Sequence, residues 1–548
     1  MKTALLPVAL VTALLVGACS KAPDASPATA TAASTAPEAK AAAAGPAPAA
    51  AHAEPVIAWE TGDVDAAFAK AKADNKPLFL YWGATWCPPC NEVKATIFNR
   101  QDFAERARFF VPVYVDGDAR GAQQLGARFK VSGYPTMVLF TPDGREITRL
   151  PGEVDADQYM RVLALGMNGA RPVRETLNAA LGGAKGDAGA VLRAEDWRML
   201  AYYSWETDES QLLPEAKRAA TLARLARACP STQADVATRL ALSAIIAAAT
   251  AKDAKARSDT AAVATLIAVL ADPAVSRENF DLVVNNVDKV TDNVTLKGSA
   301  ERTRLMQAWN AALERLYADN RLSTPDRLAV LSAEIDLAKV DAPKGPVPAA
   351  LQERVRAAVA QTDRDTQDPY SRQAVISDAA QLLAEADLMA ESDALLTAEL
   401  ARSQSPYYYM LGLADNAKTR GDNASALDWA QKAYEAAKGP ATRLQWGVRY
   451  VNMLTDLAPK DSERIEGAAR QVIGELEPAP ETFYERNQRA LEKMSRKLAA
   501  WNKGDAHRAT IARLRAEMSG VCAKLPAADP ARAVCDRTLR PAAAGASA

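Results

Sequence analysis

Trp86-Cys87-Pro88-Pro89-Cys90 sets two thiols three positions apart, directly after the apolar run Leu78-Phe79-Leu80-Tyr81-Trp82. At a strand-to-helix turn that spacing suits a reversible dithiol/disulfide couple. Cys87 would lie at or near a helix N-terminus, with Cys90 one turn further in. Unpaired N–H groups and the helix dipole there favour a thiolate at Cys87. Other chemistries lack their parts. A zinc site needs two further ligands, and the only histidines are His52 and His507. A c-type haem needs histidine directly after Cys90, where Asn91 stands. No metal or cofactor is therefore expected. A purely structural disulfide in a binding module remains the competing reading, and Trp86 is either core packing or a lid over the sulfurs.

The elements that must position this pair follow from residues 54–168. Val56 to Trp59 reads as a short strand, and Asp63 can cap a helix reaching about Asp74. Leu78 to Trp82 is a buried strand, followed by a helix from the cysteines with a break near Asn99. Phe110 to Val115 is β-rich and Ala119 to Phe129 helical. Thr136 to Phe140 and Glu146 to Leu150 are strands joined by the turn signal Pro142-Asp143-Gly144. Asp155, with Gln158 three residues on, starts a last helix that Gly166 could end. The order fits an α/β domain, a central sheet with helices on both faces.

Trp86 to Cys90, then Gly133-Tyr134-Pro135-Thr136, a strand, a glycine turn and a strand ending near Gly152 together resemble the thioredoxin superfamily. With Asn75-Lys76-Pro77 and Phe109-Phe110-Val111-Pro112-Val113, the pattern is similar to exported members such as the C-terminal domain of the transmembrane reductase DsbD. The resemblance covers about a fifth of the chain. It implies a cis Pro135 facing the dithiol, with Trp86, Tyr134 and Pro135 presenting a surface where an extended substrate can pair. The other possibility is a trans proline in an ordinary loop. It also implies protein disulfides as substrates, Cys87 as nucleophile, Cys90 as resolving cysteine and an external electron donor.

Two departures stand out. Tyr81 occupies the place of the family's buried aspartate, and Pro112 that of its lysine partner, so the proton path differs; Glu92 or water are the candidates. Neither Pro88 nor Pro89 offers an N–H to the Cys87 sulfur, which leaves Cys90 N–H as the main local donor. That favours a comparatively reducing pair.

The remaining cysteines sort by position. Lys2, the apolar stretch Ala4 to Val16 and Val16-Gly17-Ala18-Cys19 form an export signal over residues 1–19. The apolar run is short for a membrane span. Its ending resembles the lipobox of bacterial lipoproteins, which implies lipidation of Cys19; ordinary cleavage after Ala18 is the alternative. Ser20 favours sorting to the outer membrane, on the periplasmic side. Residues 20–53, almost all Ala, Pro, Ser and Thr, read as a disordered tether. Cys522 and Cys535 lie close enough in sequence for a structural disulfide, and Cys229 is expected to be a buried apolar residue. The chain carries 66 Lys and Arg against 67 Asp and Glu, so no nucleic-acid surface is announced.

Residues 172–540 are Ala-, Leu- and Arg-rich with little strand character, and breaks fall near Gly182 to Gly189, Asp341 to Pro348 and Glu477 to Pro480. The last residues, 541–548, read as a disordered tail. Ala394, Ala398, Ala401 and Pro406 are echoed by Ala426, Ala430, Ala433 and Pro440, and more distantly by Ala219, Ala223, Ala226 and Pro230. At about 380–440 the spacing resembles tetratricopeptide repeats, with a period of about 34 residues; another helical solenoid is the alternative. Such a stack offers a surface for a protein partner. Tyr407-Tyr408-Tyr409 could line it, although inter-helix packing is the expected role. Two functions remain: an exported thiol–disulfide oxidoreductase, or a non-catalytic envelope scaffold built from the same parts.

Overall fold

The computed structural model describes residues 57–131, 133–150, 156–182, 192–208 and 211–540. The export signal, Cys19, the tether and the C-terminal tail lie outside them. Four strands, β1 (Leu78–Gly83), β2 (Val111–Asp116), β3 (Thr136–Phe140) and β4 (Glu146–Leu150), form one sheet in the order β2-β1-β3-β4. β1 runs parallel to β2 and antiparallel to β3, and β4 returns antiparallel to β3. Five helices dress the sheet: α1 (Val64–Ala73), α2 (Pro88–Val93), α3 (Gln101–Arg106), α4 (Ala122–Phe129) and α5 (Ala156–Met167).

β1 is buried along its whole length, as a central strand covered on both faces must be. Because side chains alternate, Leu78, Leu80 and Trp82 pack with Val64, Ala67 and Ala71 of α1 and with Phe129 of α4. Phe79 and Tyr81 point the other way, into the core that holds Cys87, Cys90, Phe103, Tyr159 and Leu163. Asp63 caps α1 by accepting from Asp65 N–H, as its position suggests. The strand expected at Val56 to Trp59 is not formed over Ile57 to Trp59. A single parallel bridge, Glu60 to Val113, stands in its place. The Trp59 ring turns inward against Phe79, Tyr81 and Phe98, which bends this segment away from the ladder.

From Val173–Ala180 to Pro530–Arg537 the described chain is helical. The expected breaks occur where helices end at Ala180, Lys339 and Gly474. Asp368, Asp422, Asp461 and Ser323 cap helices through side-chain acceptors, and Pro406 and Pro440 each open one. The alanine echo does not mark equivalent positions. Ala426, Ala430 and Ala433 are buried, whereas Ala394, Ala398 and Ala401 are exposed, because the Met389–Glu399 helix turns Ser392, Leu396 and Glu399 inward. What recurs is the proline-started helix followed by a second, packed helix.

Arginine braces this array from within. Arg372 and Glu399, each 3 % exposed, pair at 2.7 Å, and Arg239 pairs with Asp281 at 2.6 Å. A disulfide joins Cys522 to Cys535 across the turn between the last two helices. Cys229, expected to be buried, is partly so: it is the C-cap of the Glu215–Ala228 helix and packs against the edge of the main core. The core on the Phe79/Tyr81 face of the sheet continues without interruption through Trp197, Tyr202, Tyr434, Val451 and Leu498 of the helices. The sheet thus shares one interior with the helices on either side of residues 250–400, while the helices between pack around separate cores.

Candidate active site

Cys87 is the N-cap of α2, with Pro88 and Pro89 at its first two positions. Proline suits that place because its φ is preset and its missing N–H has no intrahelical partner to lose. The first free donor of the helix is therefore Cys90 N–H, which reaches the Cys87 sulfur at 3.2 Å. Cys87 and Cys90 are disulfide-bonded. Asn91 ties the helix back to the loop after β1 through Nδ2 donating to Thr85 O at 3.1 Å. After Val93 the helix widens into a π turn over Lys94–Phe98 and ends at Asn99, where the break was expected.

Beneath the pair, Tyr81 Oη donates to the carbonyl of Cys90 at 3.3 Å. Burial pushes its phenol far above the ordinary range, with Tyr114 and Asp116 adding to the effect, so Tyr81 stays protonated. Burial also lowers the ammonium of Lys94, against the pull of Asp116. Pro112 lies in β2 opposite Phe79. The peptide bond between Tyr134 and Pro135, just before β3, is cis. Tyr134 Oη accepts from Gln123 Nε2 at 2.9 Å, and its ring stands edge-on to Trp86 with centroids 6.2 Å apart.

The dithiol is roofed by the helical array. Cys87 is 3 % exposed, Trp86 6 % and Cys90 fully buried. Trp86 stacks on Tyr408 at 5.9 Å and meets Trp446 edge-on at 5.0 Å. The Arg486 guanidinium lies 5.6 Å from the Trp86 ring and 4.5 Å from that of Tyr134. Gln373, on the Pro369–Glu385 helix, donates from Nε2 to the Trp86 carbonyl at 3.2 Å. Arg486 N–H donates to Gln123 Oε1 at 3.1 Å, and Arg120 pairs with Glu481 at 3.0 Å.

Asp118 is the joint between the two parts. It accepts from Trp86 Nε1 at 3.0 Å, from Thr442 N–H at 2.7 Å and from the Thr442 hydroxyl. Thr442 is in the first turn of the Pro440–Leu457 helix, whose N-cap Gly439 has no side chain to offer. Asp118 therefore caps a helix more than three hundred residues away. Gly439 is required twice over: its φ is +84°, and a Cβ there would come within 2.8 Å of Asp118 Cγ. Burial raises the Asp118 carboxyl, and the hydrogen bonds from Thr442 and Trp86 pull it back.

The sequence-singled residues Trp86, Cys87, Cys90, Tyr134 and Pro135 thus lie in one neighbourhood. Gln373, Thr442, Trp446 and Arg486 belong to it too, yet nothing local in sequence tied them to a dithiol so distant along the chain. The tyrosine triplet was a partial signal. Tyr407 and Tyr409 are buried in inter-helix packing as expected, while Tyr408 covers Trp86. Among the described residues no cluster of three or more His, Cys, Asp or Glu is placed to hold a metal ion.

Residues 64–166 match the family model described as a thioredoxin-like domain. Thiol:disulfide interchange protein DsbD 2 of Pseudomonas aeruginosa is 29% identical over 114 residues, 20% of this chain and 19% of that protein. The DsbD of Pseudomonas fluorescens is 29% identical over 103 residues, 18% of each chain. That of Yersinia pestis is 32% identical over 97 residues, 17% of this chain and 16% of the relative. The chain thus spans less than a fifth of the length of these curated relatives. A solved structure titled DsbH oxidoreductase is 18% identical, covers 23% of this chain and 96% of its own, and has a TM-score of 0.20. The chain contains a thioredoxin-like domain, followed by an all-helical region.

Proposed function

We propose that this protein is a thiol–disulfide oxidoreductase of the bacterial cell envelope that works in the reducing direction on protein disulfides. The observation that carries the reading is Cys87 as N-cap of α2, bonded to Cys90, in a thioredoxin-like domain with a cis bond before Pro135. In the dithiol form, the Cys87 thiolate attacks one sulfur of a substrate disulfide. The substrate S–S bond breaks, its other sulfur leaves as a thiolate, and a mixed disulfide with Cys87 forms. Cys90 then loses its proton and attacks the Cys87 sulfur, releasing the second substrate thiol. The protein dithiol has lost two electrons and the substrate disulfide has gained them. An external dithiol donor of the envelope must restore the pair.

Pro88 and Pro89 support the reducing direction. They leave Cys90 N–H as the local donor to the Cys87 sulfur, so its thiolate is stabilised less than one held by several donors. Export through residues 1–19, lipid attachment at Cys19 and an outer-membrane location complete the proposal. No described helix is long and apolar enough to cross a membrane.

One observation favours a non-catalytic scaffold instead: Cys87 is only 3 % exposed beneath the helices. Trapping separates the two. A Cys90→Ser variant expressed in the envelope should accumulate mixed disulfides that dissolve on reduction. If none form, and the purified dithiol reduces no disulfide, the scaffold reading stands. A measured potential near that of a strong oxidant would overturn the reducing direction.

A further inference from the structure

Trp86, though only 6 % exposed, reaches the edge of a groove in the helical array with a volume of about 1300 Å³. That exceeds the roughly 300–1,000 Å³ of ordinary small-ligand pockets. No other residue of the thioredoxin-like domain lines it. Around Trp86 the lining is Tyr408, Trp446 and Arg486.

Two of the groove's helices differ in charge. The Pro369–Glu385 helix contributes Asp378 and Glu385, while the Glu485–Trp501 helix contributes Arg486, Arg489, Lys493 and Lys497. Several of the charges are already satisfied: Lys497 pairs with Asp456 at 2.6 Å and Lys339 with Asp387 at 3.0 Å. Asp378 and Arg486 are not paired with an opposite charge. Asp378 receives a hydrogen bond from Ser377, and the Arg486 guanidinium donates to the neutral Gln445 at 2.9 and 3.1 Å. Lys493, exposed on its wall, has no carboxylate partner among the described residues. Asn452, also in the lining and 6 % exposed, holds an Oδ1 that accepts no hydrogen bond.

We propose that this groove binds an extended, cysteine-bearing polypeptide segment and delivers it past Trp86 to the dithiol. The inference rests on the oxidoreductase reading and specifies its substrate class. Three features select the occupant. The groove is too large to be filled by a small disulfide. It is concave and meets the thioredoxin-like domain at Trp86, the residue before Cys87, where helices shelter the dithiol from a convex folded surface. Its unpaired groups are an acid on one wall and bases on the other, which suits a strand that carries both charges. The helical array then acts as a selector for unfolded or flexible substrates.

The test uses the full chain, reduced and freed of reductant, with two chromogenic probes. One is a linear synthetic peptide with a lysine and a glutamate flanking a single cysteine held as a mixed disulfide with thionitrobenzoate. The other is free dithiobis(nitrobenzoate). Both release thionitrobenzoate as the Cys87–Cys90 disulfide forms. The peptide should react about tenfold faster, measured as the second-order rate constant of this single turnover. Asp378→Ala combined with Lys493→Ala should reduce that preference about fivefold, and so should raising the salt on the unaltered protein. Equal efficiency on both probes overturns the proposal, as does a preference insensitive to both salt and substitution. If neither probe reacts, the oxidoreductase reading itself fails and the groove assignment with it.

Discussion

Tyr81 shows how one residue limits the chemistry available to the dithiol. Its hydroxyl donates to the Cys90 carbonyl, and burial keeps its phenol protonated throughout the range in which thiols titrate. It can hold Cys90 in place but cannot take its proton. Tyr81→Phe should therefore cost about 1 kcal/mol of stability, the worth of one hydrogen bond. It should change the rate of mixed-disulfide resolution less than about twofold. A large loss of resolution rate at unchanged stability would make Tyr81 part of the proton path. Asp118 makes a different case. Removing it in Asp118→Ala takes the cap from the Pro440–Leu457 helix and leaves Trp86 Nε1 without its acceptor. The roof over Cys87 should then open more often, so alkylation of the reduced protein at Cys87 should quicken several-fold. An unchanged alkylation rate would mean that this contact does not hold the roof. The cysteines and Pro135 were legible because their chemistry is local in sequence. Asp118 was not, because its partners on the Pro440–Leu457 helix meet it only through the fold.

At the scale of elements, legibility followed burial pattern and punctuation. β1 was readable from five consecutive apolar residues, and α1 from Asp63 and its spaced apolar face. The breaks at Gly182, Asp341 and Glu477 were readable from glycine, proline and charge. The repeat was read from alanines, which are common here, and half of those positions face solvent. The stronger organising feature is the buried ion pair, which a single sequence does not display. Arg372 pairs with Glu399 on the next helix and also donates to the carbonyls of Asp363 and Thr366. Its neighbour Gln373 holds the Trp86 carbonyl. Glu399→Ala would leave a buried guanidinium with only Asp363 for a counter-charge, at a cost of about 3–5 kcal/mol. A denaturant midpoint should record that loss. It should be accompanied by faster alkylation of Cys87, since the helix that roofs the dithiol is the one destabilised. Loss of stability with no change at Cys87 would show that the Pro369–Glu385 helix stays seated without its ion pair.

Across the whole molecule, the sheet shares an interior with the first and last helices of the array, while the helices between them pack around cores of their own. Asp336, on a helix wedged between two of those cores, offers a way to read the stability of that middle region. It faces Asp288 and Glu385 together with Lys289 and Lys339, and burial first, then the two carboxylates, push it up to about 6. An aspartate in an unfolded chain titrates near 3.9. The folded state therefore holds this proton more tightly than the unfolded one. Its contribution to stability is fully present below about pH 4 and is lost as pH rises through about 6. Asp336→Asn keeps the shape of the side chain and removes the titration. Measured by urea unfolding, the variant should gain on the native sequence as pH rises from 4 to 7, with the difference levelling off above the folded pKa. Asp319 and Glu466, both held near 2 by arginines, act in the opposite sense and lose their contribution as pH falls from about 4.5 towards 2. They are common to both proteins and cancel in the comparison. A stability difference that stays constant from pH 4 to 7 would mean that Asp336 titrates alike in the folded and unfolded chains, and that water reaches it between the helices.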